Sequence, residues 1–251
     1  MKQVDINCDT GEGSGNESLL MPFISSANIA CGYHSGSESE MKRLVDLCLQ
    51  NNVAIGAHPS FPDKNNFGRT EMILTTAEIR SIVLKQLDLI NNIVRAAGAK
   101  LHHIKPHGAL YNMAAKDSSL AKAMADSVNE FDSSLIYYGL SGSVMIEEAI
   151  KVGLQVAREV FADRTYQSNG SLTPRSNAGA LLTNAEESII QVMQMITEGN
   201  ITAVTGERIN IDADTICIHG DGPQAIDFAK QIYHRLTISG IRIKRINKTT
   251  R

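Results

Sequence analysis

The sequence predicts an α/β fold on a parallel sheet, either doubly wound or closed into a barrel, and three features carry that prediction. Short apolar runs rich in β-branched residues recur along all 251 residues, amphipathic stretches of helical period lie between most of them, and no linker or shift of composition divides the chain. Residues 1–251 are therefore read as a single domain.

In chain order, the first strand is Val4–Cys8, followed by a glycine-rich polar turn, and the second is Ala27–Cys31. Ser37 with Glu40 has the spacing of a capping box and opens a helix that leads to the third strand, Val53–His58. A long segment rich in Gly, Pro, Asn and Arg, Pro59–Leu74, interrupts the alternation. Thr75 with Glu78 then starts the clearest helix, to Ala97, in which Ile79, Ile82, Val83, Leu87, Ile90 and Val94 repeat at helical spacing before Gly98. Leu101–Lys105, Leu135–Tyr138 and Gln155–Val160 supply three more strands, and a second long segment, Phe161–Leu182, precedes a helix start at Thr183 and Glu186. Thr215–His219 is the next strand, Pro223 suits the first turn of a helix, and Ile241–Ile246 is the last run; the tail NKTTR reads as a frayed polar end.

Composition excludes several function classes. With 43% hydrophobic and 20% charged residues, 19 Gly and 6 Pro, the chain is a soluble globular protein and neither a fibre nor a linker. Twenty-four Lys and Arg against 27 Asp and Glu leave a formal charge of −3, which attracts neither nucleic acid nor anionic lipid. No apolar stretch approaches the roughly 18 residues of a membrane span, and the polar N-terminus has no signal-peptide core. Cys8, Cys31, Cys48 and Cys217 form no C-x-x-C pair and read as buried reduced thiols, so a cytoplasmic location is expected.

Ionisable side chains concentrate where the strands end. Asn7 and Asp9 follow the first, His34 the second, His58 the third, Lys105 and His107 the fourth, Glu159 and Asp163 the sixth, and His219 and Asp221 the seventh. In parallel α/β folds that edge of the sheet is where active sites are built. In DINCDTGEG, period-two spacing turns Asp5, Asn7 and Asp9 to one face, with Glu12 in the turn behind them; converging carboxylates divide acid and base roles or hold a divalent cation. Lys105 suits an anionic group and His107 a proton shuttle or metal ligand. Arg69, Arg164 and Arg175 lie in the long segments, where they could clamp a carboxylate or phosphate. His102, His103 and His234 read as structural. Gly11, Gly13 and Gly15 do not match G-x-G-x-x-G, and the chain contains no Gly-Lys dipeptide, hence no P-loop.

DINCDTGEG, SANIACGYH, GAHPSFPD, FGR, IKPHGALYN, EVFADRTY, LTPR and CIHGD, in this order over nearly the whole chain, resemble the LamB/YcsF family. The resemblance implies an irregular TIM-like (β/α) barrel of seven or eight strands, related to glycoside hydrolases and polysaccharide deacetylases. It implies a component of ATP-dependent 5-oxoprolinase, converting 5-oxo-L-proline, ATP and water to L-glutamate, ADP and phosphate, with ATP and magnesium as co-substrate and with B and C subunits as partners. The missing P-loop accords with a nucleotide brought by a partner. Carried over by motif, the catalytic candidates are Asp5, Asp9, Glu12, His58, Lys105 and His107, and the substrate-binding candidates are Asn7, His34, Arg69, Glu159, Asp163, Arg164, Arg175, His219 and Asp221. Ser37 stands where an Asp often follows His-Ala-Gly, Thr70 where a second Arg often follows Arg69, and Ser14 where an aromatic is common, so no role is carried to those three.

The expected chemistry begins with phosphorylation of the lactam oxygen. Water activated by Asp5, Asp9, Glu12 or His58 then attacks, while Lys105 or an arginine stabilises the developing oxyanion. Two alternatives stand beside it. One is a metal-dependent deacetylase or amidohydrolase acting on a sugar or lactam, with Asp5 or Asp9 and two of His34, His58, His107 and His219 as ligands. The other is a non-catalytic substrate-binding subunit. Whether a metal is bound is left open, and so is the oligomeric state, a homo-oligomer being allowed.

Overall fold

The computed structural model describes residues 2–219 and 225–248, so Asp221 and Pro223 lie outside the described residues. The chain runs β1 (Gln3–Thr10), α1 (Glu17–Leu20), β2 (Ser26–Ala30), α2 (Glu38–Gln50), β3 (Ala54–His58), α3 (Thr76–Ala96), β4 (His103–Ile104), α4 (Gly108–Ala114), α5 (Ser118–Asp132), β5 (Ile136–Leu140) and α6 (Val144–Lys151). It continues through β6 (Gln155–Phe161), α7 (Ala185–Glu198), β7 (Asn200–Thr202), β8 (Arg208–Asn210), β9 (Thr215–Ile218), α8 (Ala225–Ile238) and β10 (Arg242–Ile243).

Among the described residues, β1 to β6 and β9 form a parallel ring of seven strands, closed by pairing of Asp5–Cys8 with Thr215–Ile218. The eighth expected strand is reduced to β10, which pairs with Gln3 and Val4 where β1 begins and stays out of the ring. Sheet and helices thus build a TIM-like α/β barrel. The β7–β8 hairpin, antiparallel and only three residues a side, has no counterpart among the expected strands. No helix is long and apolar enough to cross a membrane among the described residues.

Local chemistry sets the helix starts. Thr75 Oγ1 accepts from the Glu78 amide while the Glu78 carboxylate accepts from the Thr75 amide, a reciprocal cap that begins α3. Ile79, Val83, Leu87, Ile90 and Val94 of α3 are buried at helical spacing. Ser37 caps α2 through the Glu40 amide. At α7 the expected cap is displaced by one residue: the Asn184 side chain, and not Thr183, accepts from the Glu186 and Glu187 amides, because Asn184 holds the extended backbone a cap requires.

Alternation along β1 sorts its side chains. Val4, Ile6 and Cys8 join the large apolar cluster with helix residues such as Leu44 and Val83, while Asp5 and Asn7 enter a polar hydrogen-bonded interior. Of the tail NKTTR only Asn247 and Lys248 lie within the described residues, and these two are tied down where the sequence suggests a frayed end. His102 Nε2 lies 2.9 Å from the Ile246 carbonyl, Gln155 Nε2 donates to the Asn247 carbonyl, and Lys248 Nζ donates to the Leu101 carbonyl. Ile246 also packs against Ile136, Tyr138 and Ala157, so the segment covers the end of the barrel opposite the strand C-termini.

Candidate active site

The interior is layered, and the lowest layer surrounds Asp5. Its carboxylate accepts from Ser25, Ser26, Thr215 and Tyr138 hydroxyls at 2.6, 2.7, 2.6 and 3.0 Å. Burial raises Asp5 above the usual carboxylate range, against the pull of those four hydroxyls. This places Asp5 below the mouth, among hydroxyls and apart from Asp9 and Glu12.

One layer up, Asn7 Nδ2 donates to Thr215 and Asn7 Oδ1 accepts from Asn28 Nδ2, each at 2.8 Å. Asn28 Nδ2 also reaches Asp9 Oδ1 at 2.8 Å, and His103 Nε2 meets Asn28 Oδ1 at 2.8 Å while its ring stacks on Tyr138. The Lys105 ammonium closes this layer. It lies 2.8 Å from Asp9 Oδ1, 2.9 Å from Glu159 Oε1, 3.3 Å from Asn7 Oδ1 and 3.0 Å from Cys217 Sγ. Burial alone would lower Lys105, but Asp9, Cys217 and Glu159 hold it well above its ordinary value. Burial likewise opposes ionised Asp9, yet His58 and Lys105 outweigh it and hold Asp9 well below the carboxylate range.

At the mouth, three histidines converge on Glu12. His34 Nε2 lies 2.9 Å and His107 Nδ1 3.1 Å from Glu12 Oε1, and His58 Nε2 lies 3.5 Å from it and 3.4 Å from Asp9 Oδ2. The His34 and His107 rings stack with centroids 3.8 Å apart. Outer partners fix the rings: His58 Nδ1 against the Lys105 carbonyl at 2.7 Å, His107 Nε2 against the Phe67 carbonyl at 2.9 Å, and His34 Nδ1 against Ser60 Oγ at 2.9 Å. The FGR segment makes this packing possible. Gly68 sits at φ +66°, where a Cβ would come within 2.9 Å of His34 Cβ, and the Ala109 amide donates to the Gly68 carbonyl at 2.9 Å. Burial pushes His34 down to about 4 and lowers His107, while the carboxylates, Asp9 foremost, raise His58 against its burial. The ligand atoms of Glu12, His34, His58 and His107 all lie within 4.8 Å of one another, a group that could hold a metal ion.

The long segments form the rim of a cavity of about 630 Å³ lined by Asp9, Glu12, His58, Lys105, His107 and the three arginines. His219 Nδ1 pairs with Asp163 at 2.8 Å, and Arg175 Nη2 approaches His219 Nε2 at 3.2 Å. Asp163 raises His219 against its burial. The Arg164 guanidinium is spent largely on the chain itself, donating to the Thr173 and Ala180 carbonyls and so tying down the second long segment. Arg69 lies over the Phe67 ring, 5.0 Å from its centroid.

Thus Asp9, Glu12, His34, His58, Lys105, His107 and Glu159 come together, Asp163, Arg175 and His219 form a second set at the rim, and Asp5 stands apart. Sequence reasoning missed Asn28, Ser60 and Cys217. Asn28 was discoverable as a polar residue inside an apolar strand, and its register partner is Asp9. Cys217 gave no such signal.

Comparison with known proteins follows the same lines. The model of the LamB/YcsF family matches residues 4–251. A protein of Tolumonas auensis, named as the A subunit of 5-oxoprolinase, is 50% identical over 249 residues, 97% of this chain and 99% of its own. The crystal structure of a lactam utilization protein from Thermus thermophilus is 40% identical with a TM-score of 0.91, covering 97% of this chain and all of its own (100%). The catalytic domain of a peptidoglycan N-acetylglucosamine deacetylase from Eubacterium rectale shares the fold alone, at 10% identity, a TM-score of 0.54 and 100% and 90% coverage.

Proposed function

The chain belongs to the LamB/YcsF family, and from that premise we propose that it is the A component of an ATP-dependent 5-oxoprolinase, opening the ring of 5-oxo-L-proline to L-glutamate. The observation that carries the reading furthest is the Asp9–Lys105–Glu159 centre at the floor of a cavity roofed by histidines and arginines. An amide carbonyl is a poor electrophile, and phosphorylation of its oxygen by ATP with magnesium, releasing ADP, makes the ring carbon attackable. Water then adds to that carbon, the C–N bond breaks with the ring nitrogen taking a proton, and a second water releases phosphate from the resulting acyl phosphate.

In this scheme Asp9 is the base that takes the proton of the attacking water. Its Oδ1 is fixed by Lys105 and Asn28, leaving Oδ2 toward His58. The Lys105 ammonium offsets charge developing on the former carbonyl oxygen. Arg175 and Arg69 on the rim receive the substrate carboxylate or the phosphoryl group. Asp5 supports the floor through its four hydroxyls. With no Gly-Lys dipeptide in the chain, the nucleotide is delivered with the B and C subunits, and the assembly works in the cytoplasm.

The test is co-purification with those partners and an assay of glutamate formed from 5-oxoproline, ATP and magnesium, each component omitted in turn. Activity that needs every component and falls by orders of magnitude in Asp9→Asn supports the reading. Full activity of Asp9→Asn in the assembled enzyme removes Asp9 as the base, and no activity from folded, assembled subunits removes the substrate.

A further inference from the structure

Proton bookkeeping at the mouth leaves a space that the hydrogen bonds do not fill. His58 Nδ1 and His107 Nε2 each face a backbone carbonyl, which only accepts, so in the neutral rings those nitrogens carry the hydrogens. Ser60 Oγ donates to the Phe61 carbonyl at 2.9 Å and therefore accepts from His34 Nδ1. The remaining nitrogens, His34 Nε2, His58 Nε2 and His107 Nδ1, are then lone pairs. They point at one another and at the Glu12 carboxylate, with His107 Nδ1 only 3.0 Å from His58 Nε2.

We propose that Glu12, His34, His58 and His107 bind one divalent first-row transition-metal ion, of which zinc is the type, in a three-nitrogen, one-oxygen site. The spacing agrees. Metal–ligand bonds of about 2.0–2.1 Å give ligand–ligand edges of about 3.3 Å in a tetrahedron and about 2.9 Å in an octahedron. Three of the measured edges, 2.9, 3.0 and 3.1 Å, fall in that range, and the fourth, His58 Nε2 to Glu12 Oε1 at 3.5 Å, lies just above it. Each imidazole is held from behind by an oxygen, the outer arrangement that orients metal-binding histidines. An imidazole-rich set with one carboxylate suits zinc and its neighbours better than magnesium, which prefers oxygen. A second group, Asp9, Cys217 and His219, also converges among the described residues, but the Lys105 ammonium already touches both Asp9 and Cys217 and supplies the positive charge there.

The assignment is independent of the reaction proposed above, because metal content is read on the isolated chain and glutamate formation on the assembled enzyme. The full-length chain, carrying no histidine tag, is purified without chelator, stripped by dialysis against a chelator, and reloaded with Zn²⁺ or Co²⁺. Elemental analysis is expected to give about one ion per chain, and bound Co²⁺ the visible absorption of a nitrogen-rich site of low coordination number. His34→Gln and Glu12→Gln are expected to lose the ion, Ser60→Ala to weaken it about 10–100-fold, and His219→Ala to keep it. Should the ligand variants misfold, the Co²⁺ spectrum of the wild-type chain and its loss to chelator still decide. A folded wild-type chain that takes up neither ion, or an ion retained by His34→Gln and lost from His219→Ala, overturns the proposal.

Discussion

Replacing Lys105 by Met removes a buried ammonium and leaves the volume nearly unchanged, so its cost reports charge and little else. Lys105 and Glu159 are both buried, and the ammonium lies within 2.9 Å of Asp9 and of Glu159. Breaking a buried ion pair from one side costs about 3–5 kcal/mol, and here two carboxylates lose one cation together, so the upper half of that range is expected near neutral pH. The pH dependence carries a signature. In the wild type Asp9 is held below its unfolded value, so its contribution is complete above about pH 4 and is lost only as pH falls through the folded value. In the variant His58 and His219 still oppose burial but the Lys105 charge is gone, so the folded Asp9 moves upward, and wherever it passes the unfolded value protonation stabilises the folded state by up to about 1.4 kcal/mol per pH unit. Urea unfolding of both proteins followed by circular dichroism at pH 7.5 and pH 5.5 (about two units apart, a span set by that slope) measures the gap. It should narrow on acidification. A gap under about 1 kcal/mol near neutral pH, or one that widens as pH falls, refutes the picture of Lys105 as the cation that compensates these carboxylates.

Further expectations follow from other parts of the molecule. Burial pushes His102 down to about 4, so the unfolded chain binds a proton there between about pH 6.5 and 4 that the folded one refuses, and stability falls across that window; His102→Gln should flatten the fall by at most about 3 kcal/mol in pH-resolved melts. At Gly56 a Cβ would lie 2.1 Å from His103 Nε2, so Gly56→Ala must push His103 off Asn28 and should cost about 3 kcal/mol or more by denaturant unfolding. Deleting residues 246–251 uncovers Ile136, Tyr138 and Ala157 and removes three tail contacts, and about 2–4 kcal/mol of stability should go with them in the same assay.

How much of this was legible follows from what each signal encodes. Periodicity marks which side chains leave water, and every run it marked became a strand, although the last contributes only Arg242 and Ile243 to pairing. Ring closure was invisible because it rests on β1 meeting β9, a pairing between segments some 210 residues apart that no local pattern records. The β7–β8 hairpin was missed because three residues a side are too few for a period to show. At the site, strand ends marked His34, His58, His107 and Lys105, and the structure gathers these around Asp9 and Glu12, the histidines at the mouth and Lys105 a layer below. What separates Asp5 from Asp9 is depth, and depth depends on Ser25, Ser26, Tyr138 and Thr215 arriving from three other parts of the chain. The tail looked polar and loose because its side chains are polar; its attachment runs largely through backbone carbonyls, on which composition is silent.

Closing the ring through β1 also shapes how the protein comes into being. During synthesis β1 emerges first and can pair at once only with β2, while its other edge waits until Thr215–Ile218 has left the ribosome. Throughout that interval the nascent chain carries an open, largely apolar strand edge, and the Asp9 and Lys105 charges have no enclosing wall. Folding is therefore expected to end in a late, long-range step that joins the two ends of the chain, slow because its contacts span nearly the whole sequence. Outside the ring, β10 adds to the start of β1, the Arg242 amide donating to the Lys2 carbonyl at 2.9 Å, a second pairing of early with late sequence that must likewise wait for the last strand to be made.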